Sequence, residues 1–224
     1  MRARDYRRIA REKLSGNWGI SIAVGLVATL LGGLISDTGG FSVSVSEEII
    51  PHLPEFLITY IKITASVSSV LAIVAFIIGG TLQLGYARYL INQHNGAGFE
   101  FKDLFSQFYQ FGNGFLQFLL RLIYTFLWCL LFIIPGVVKA YAYAMTPFIL
   151  AEHPEYSANE AITKSKEMMN GHKAELFFLD LSFIGWILLN VLTLGIGTLF
   201  LVPYTHASYA AFYKHLIQGT SVEY

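Results

Sequence analysis

Residues 114–154 constrain this chain more than any other stretch. They read GFLQFLLRLIYTFLWCLLFII, then Pro135-Gly136, then VVKAYAYAMTPFILAEHP. The first part is about 20 nearly unbroken apolar residues, the length a helix needs to cross a bilayer core. One charge, Arg121, interrupts it. A Pro-Gly pair does not continue a helix comfortably, so the spacing predicts a turn there and a returning segment. A soluble fold has no room for such a hairpin. Of the 224 residues, 54% are hydrophobic and only 13% charged, where a soluble domain carries roughly 25% charged residues. The mean hydropathy is +0.54. That much apolar area needs lipid as solvent for part of its surface. The predicted fold class is therefore all-α, a polytopic transmembrane bundle.

Read along its length, the chain is a single membrane domain, residues 1–224, with six predicted spans at about 18–35, 61–84, 115–134, 138–150, 175–192 and 198–216. The first run follows a basic segment but exceeds the ~7–15 residues of a signal-peptide apolar region, and no small-residue cleavage pattern follows it. It reads as a retained span. Gly25, Thr29 and Gly33 in the first span, and Ser68, Ala72, Ala75 and Gly79 in the second, recur at helical spacing. Such small-residue stripes let helices approach closely. Pro135, Gly136, Pro147 and Pro203 are the predicted helix breaks.

The segments between are polar or amphipathic. Residues 36–56 are Ser-rich and hold Asp37, Glu47, Glu48 and Glu55 without Lys or Arg, which reads as an exposed outer loop. Residues 2–14 place Tyr6, Ile9, Ala10 and Leu14 near helical spacing among arginines, the pattern of a short helix on an anionic leaflet. Phe101, Leu104, Phe105, Phe108 and Phe115 suggest a second interfacial helix within the loop 88–114. Residues 157–170 read as a cytoplasmic helix that starts at a Ser157–Glu160 capping box and stops near Gly171. Its expected buried face is Ala158, Ala161, Ile162, Ser165, Met168 and Met169.

Charge sets the orientation. Lys and Arg number 15: six in the N-terminal segment, two after the second span, three after the fourth and one after the sixth. These twelve fall on one side, against Lys62 and Lys139 on the other and Arg121 within a span. The positive-inside rule then places both termini in the cytoplasm.

LSGNWG (14–19), FIIPG (132–136), SANEAITKSKEMMNGHK (157–173), LSFIGW (181–186) and AAFYKHL (210–216) together resemble a family of bacterial integral membrane proteins known as a domain of unknown function. The resemblance implies a cell-membrane location and carries no biochemical activity with it. Residues 135–173 are also similar to membrane domains attached to some bacterial glycerophosphodiester phosphodiesterases.

Two intramembrane charges stand out. Arg121 lies about 10 Å along its span and Asp180 about 9 Å along its own, at ~1.5 Å per residue. Both spans start on the same side, so the depths agree. A lone charge near the bilayer centre costs at least ~2.5–3.5 kcal/mol. An Arg121–Asp180 pair, structural or lining a cytoplasm-facing cavity, is the expected remedy, with Arg121 reaching lipid phosphate as the alternative. Glu152, His153 and Glu155 form a polar cluster at the end of the fourth span. The histidines at 52, 94, 153, 172, 206 and 215 show no metal-ligand spacing, so no metal is expected. There is no phosphate loop, dinucleotide fingerprint or nucleophile elbow, so no cofactor or catalytic residue is assigned. Cys129, the single cysteine, sits in an apolar run and reads as a small packed hydrophobe.

These features favour a non-enzymatic membrane protein that handles a solute or lipid or serves envelope machinery as an accessory or scaffold. An intramembrane enzyme acting on lipid is the alternative, resting on the phosphodiesterase-associated resemblance and on Glu152, His153 and Glu155. A third reading is an interaction protein, such as a surface target or immunity factor, displaying the Ser-rich loop. Expected partners are membrane lipids, with a membrane protein or a second copy compatible with the packing stripes, and no nucleic acid.

Overall fold

The computed structural model describes residues 2–31, 55–97, 100–193 and 195–220, with backbone alone at 30, 55–71, 191 and 219–220. Gly33 and almost all of the Ser-rich loop 36–56 lie outside these residues, and only the helical backbone of Ser68 is described. The described residues are helical, with no strand among them. In chain order the helices are α1 (Ala3–Leu14), α2 (Trp18–Leu30), α3 (Glu55–Asn95), α4 (Phe111–Leu131), α5 (Ile133–Ala142), α6 (Thr146–Glu152), α7 (Ala158–Met168), α8 (Lys173–Leu181), α9 (Ile184–Leu192) and α10 (Thr198–Thr220). Among the described residues, three stretches are long and apolar enough to span a membrane: Ala72–Asn95, Phe101–Leu131 and Ile133–Glu152.

Several predicted boundaries move. The second apolar helix does not stop near 84 but runs on to Asn95. In place of an interfacial helix, two 3₁₀ turns, Phe101–Phe105 and Phe108–Gln110, lead into α4. Leu104, fully buried, is the reason. Its carbonyl lies so close to Gly85 that any side chain at 85 would collide with it. The turn after α4 falls at Phe132, which is extended at φ −158° and ψ 141°, three residues before the predicted Pro135-Gly136 break. Pro135 instead occupies the first turn of α5, where the missing N–H costs no helical bond. Gly136 lets α5 pass against α4, because a Cβ there would strike the sulfur of Cys129.

Proline plays a similar starting role further on. The predicted fourth span divides into α5 and α6 at a turn, and Pro147 stands in the first turn of α6. The predicted fifth span divides at Ser182 and Phe183 into α8 and α9. Pro203, expected to interrupt the last span, lies inside a continuous α10. Thr205 donates its hydroxyl to the carbonyls of Leu201 and Val202, both at 3.0 Å, which occupies acceptors in the turn around the proline.

The core gathers around the second half of α3 and α10, with α1 laid across them. The apolar side of α1, Tyr6, Ala10 and Leu14, is buried in the protein and not turned outward to a leaflet. The Tyr6 ring meets Phe212 edge-on at 5.2 Å, and Arg7 donates to the Ser182 carbonyl at 2.9 Å. Burial, then the neighbouring Glu175 carboxylate, raises the Tyr6 pKa, so the phenol stays neutral. The capping box is present as its spacing predicts: Ser157 Oγ accepts from the Glu160 N–H at 3.3 Å, and Glu160 accepts from the Ser157 N–H at 2.7 Å. Ala158, Ala161, Ile162, Ser165 and Met169 are buried, and Ser165 donates to the Ala142 carbonyl at 2.9 Å.

Candidate functional site: a cavity around Arg121

Most of α4 faces away from the protein. Phe126, Leu127, Leu130 and Leu131 are all exposed, yet one stripe turns inward. Gln110, Gly114, Gln117 and Arg121 recur at intervals of four, three and four, which puts them on one side of the helix. Gly114 makes the closest approach, since a Cβ there would sit 2.7 Å from Thr81 Oγ1 on α3. Gly80 faces it, and a Cβ at 80 would collide with the Gly114 carbonyl. These two glycines form the tight α3–α4 crossing. Among the small residues of the predicted packing stripes, Gly25 packs toward Val202 and Pro203 of α10, and Thr29 donates back to the Gly25 carbonyl at 2.8 Å. Ala75 and Gly79 are buried, whereas Ala72 is exposed.

Two turns beyond Gly114, Arg121 reaches a cavity of about 350 Å³ bounded by α3, α4, α5, α6, α8 and α10. Its Nη1 donates to Gln83 Oε1 at 3.1 Å. The remaining wall is mainly apolar and aromatic, with Leu90, Phe118 and Phe148, and exposed Leu122 stands at the rim. Tyr141 and Tyr209 also line the cavity and converge on Asp180. Their hydroxyls donate to its Oδ2 at 2.8 Å and its Oδ1 at 2.5 Å. Both sequence-read charges thus belong to one region, Arg121 in the cavity wall and Asp180 behind the two tyrosines. His206 completes the wall, its ring edge-on to Tyr86 at 5.3 Å.

The polar cluster at the end of α6 divides. Glu152 turns toward α10, accepting from Lys214 Nζ at 2.6 Å and from the Tyr213 hydroxyl at 2.9 Å. His153 and Glu155 meet outside, Nδ1 to Oε1 at 2.9 Å, and the His153 ring stacks on Tyr156. No group of three or more His, Cys, Asp or Glu placed to hold a metal occurs among the described residues. Cys129 is exposed. Sequence reasoning missed Gln83, Tyr141 and Tyr209 as site residues. The inward spacing of 110, 114, 117 and 121 was a readable signal for the stripe. Nothing in the sequence pairs Asp180 with two tyrosines 39 and 29 residues away.

Residues 133–220, less than half of the chain, match a family model described as Protein of unknown function (DUF975). The match takes in α5 to α10 and three of the five stretches on which the family resemblance rests in full: 157–173, 181–186 and 210–216. No curated protein and no solved structure matched the chain. Arg121 and Gln83 lie outside the matched residues, while Tyr141, Asp180, His206 and Tyr209 lie within them.

Proposed function

We propose that this protein is a multi-pass protein of a bacterial cytoplasmic membrane that holds an amphipathic solute or lipid in the cavity beside Arg121, without chemistry on it. The observation that carries this reading is the position of Arg121. It stands on a helix whose other faces are exposed and apolar, yet its guanidinium enters a mainly apolar cavity with exposed Leu122 at the rim. Pockets for small molecules combine apolar walls with a few placed polar groups. A planar guanidinium offers a fork of donors to a carboxylate or phosphate. Within this reading Asp180, held by Tyr141 and Tyr209, balances the charge of Arg121 in a low-dielectric setting.

Six spans with both termini cytoplasmic remain the topology that the twelve one-sided cations favour. Separation of α8 from α9 adds a discontinuous segment of the kind that binding sites in membrane bundles use.

Native mass spectrometry of the protein released from nanodiscs tests the proposal. Retained anionic lipid or fatty acid is expected in the wild type, reduced in Arg121→Lys, which keeps the charge without the fork of donors, and reduced further in Arg121→Ala. Equal retention in all three, with each variant folded, would sink the reading. Tagging the C-terminus with a cytoplasm-only reporter checks the orientation, and a silent reporter would overturn it.

A further inference from the structure

The uncovered apolar surface of α10 ends where α1 begins to cover it. Leu199 and Phe200 are exposed, whereas Val202, Pro203 and Tyr204 are buried. Arg11 reaches Tyr204 and Tyr6 reaches Phe212, so α1 runs antiparallel along the buried part. The same boundary recurs on the neighbouring segment. Leu176 and Leu179 of α8 are buried, while Leu181, Ile184, Trp186 and Ile187 beyond them are exposed. Trp186 stands on the boundary, edge-on to Tyr204 with ring centres 6.1 Å apart. Trp and Tyr gather at the level of lipid headgroups.

Two arginines of α1 occupy this boundary. Arg7 and Arg11 are four residues apart, on one side of the helix with their Cβ atoms about 5–6 Å apart. Arg7 Nη1 donates to the Ser182 carbonyl at 2.9 Å, at the turn between α8 and α9. Its guanidinium lies 5.9 Å from the centre of the Phe183 ring. Arg11 Nη2 donates to the Tyr204 hydroxyl at 3.5 Å, with its guanidinium 5.9 Å from that ring's centre. Phe183 and Tyr204 in turn meet edge-on at 5.3 Å. Arg7, Phe183, Tyr204 and Arg11 therefore form one continuous group.

Charge pairing sets these two cations apart. Arg8 pairs with Glu12, Lys102 with Glu100, Lys164 with Glu167 and Lys214 with Glu152. Among the described residues, neither Arg7 nor Arg11 forms an ion pair. A carbonyl, a hydroxyl and two rings hold the guanidiniums in place without neutralising them. Two cations thus stand together at the edge of an exposed apolar surface.

We infer that Arg7 and Arg11 seat the phosphate of an anionic phospholipid, whose chains run over Trp186 and Phe200. A guanidinium presents a fork of donors that matches phosphate geometry, and two of them suit a single headgroup. Continuity with the exposed apolar side chains selects a lipid over a free anion, since only a lipid uses both halves of the site. The buried apolar side of α1 does not rest on a leaflet; its arginine side meets one. The inference rests on the membrane location of the chain and not on what the Arg121 cavity holds.

Fluorescence quenching by brominated lipids tests it, because bromine on an acyl chain quenches only a tryptophan that the lipid touches. The chain has three tryptophans, so Trp18→Phe with Trp128→Phe leaves Trp186 as the reporter. Brominated phosphatidylglycerol is expected to quench Trp186 at a several-fold lower fraction of the bilayer than brominated phosphatidylcholine. That preference should vanish in Arg7→Gln with Arg11→Gln. It should persist in Arg4→Gln with Arg8→Gln, which removes the same charge from exposed positions of the same helix. Equal loss in both pairs would reduce the effect to general charge attraction and overturn the inference. Equal quenching by the two lipids in the reporter protein would also overturn it, however the arginine variants fold. No quenching by either lipid would instead place Trp186 outside the bilayer and break the membrane reading itself. Loss of the preference in Arg121→Ala would assign the lipid to the cavity. Loss on adding inorganic phosphate, but not chloride at equal ionic strength, would make a free anion the ligand. Either result overturns the inference. The thermal midpoint of the chain with all three tryptophans gives a further decision. Phosphatidylglycerol should raise it above its value in phosphatidylcholine, and Arg11→Gln, at an exposed position, should remove part of that rise. A wild type with the same midpoint in both lipids has no such site.

Discussion

The stretches Ala72–Asn95 and Phe101–Leu131 are both apolar enough to span a membrane, but 61% of an 18-residue apolar window of the first is buried in the protein and only 17% of the corresponding window of the second. Composition at the contact faces explains the difference. The first carries Gly79, Gly80, Thr81, Gln83 and Gly85 in close sequence, which lets α4, α10 and the Leu104 turn approach its backbone. The second carries Leu, Ile, Phe and Trp on every side but one, and these bulky groups remain exposed. Hydropathy selects segments that avoid water. Side-chain size selects which of them other helices can reach.

Breaking the close approach should produce the largest effect. Gly85→Val drives a side chain into the Leu104 carbonyl and should abolish a monodisperse peak in size-exclusion chromatography, since backbone gives way less readily than side chains. Gly112→Ala on α4 meets nothing within 4 Å. It should leave the peak intact and stabilise slightly, by about 0.5–1 kcal/mol. Next in size, Leu82→Ala on the buried helix should cost about 2–5 kcal/mol by cavity formation. Its counterpart Leu130→Ala, 72% exposed, should stay within about 0.5 kcal/mol in the same denaturation series. Equal losses at both sites would erase the distinction between the helices.

Polar anchors of α10 and α7 sharpen the comparison at smaller scale. Lys214→Ala leaves the Glu152 carboxylate with the Tyr213 hydroxyl alone. The pair is 14% and 24% exposed, so a loss of about 2 kcal/mol is expected, below that of a fully buried pair. Glu152→Gln should cost less, because the amide still accepts from Tyr213. The smallest effect belongs to Ser157→Ala, about 1 kcal/mol for loss of a helix cap. The Ser157 backbone N–H, then its hydroxyl, holds the Glu160 carboxyl below the usual carboxylate range. A lowered folded-state pKa stabilises above the unfolded value, about 4.3, and that contribution fades as pH falls through the folded value. The thermal-midpoint gap between wild type and Glu160→Gln should therefore be full at pH 7 and narrow below about pH 4. A gap that widens on acidification would contradict the assignment.

Legibility in the sequence was uneven for physical reasons. The α7 cap was readable because a capping box is local, its two partners three residues apart. The proline breaks were misplaced because a proline tolerates the first turn of a helix as well as it ends one, and only packing distinguishes the two. Pro135 and Pro147 both open helices. The basic α1 gave the pattern of a surface helix, but its apolar side is covered by Phe212 and its neighbours, some two hundred residues away. Arg121 and Asp180 were visible as charges in apolar runs. Partners of each, Gln83 for Arg121 and Tyr141 with Tyr209 for Asp180, came from separate helices.

The sequence by itself determined the helical class, the apolar segments and the α7 cap, because each follows from the chemistry of residues within a few turns of one another. Tertiary structure alone decided which apolar helix is covered, where the hairpin turns and which hydroxyls reach Asp180. Those outcomes depend on the distance at which one backbone passes another, and that distance is set jointly by residues far apart in the chain.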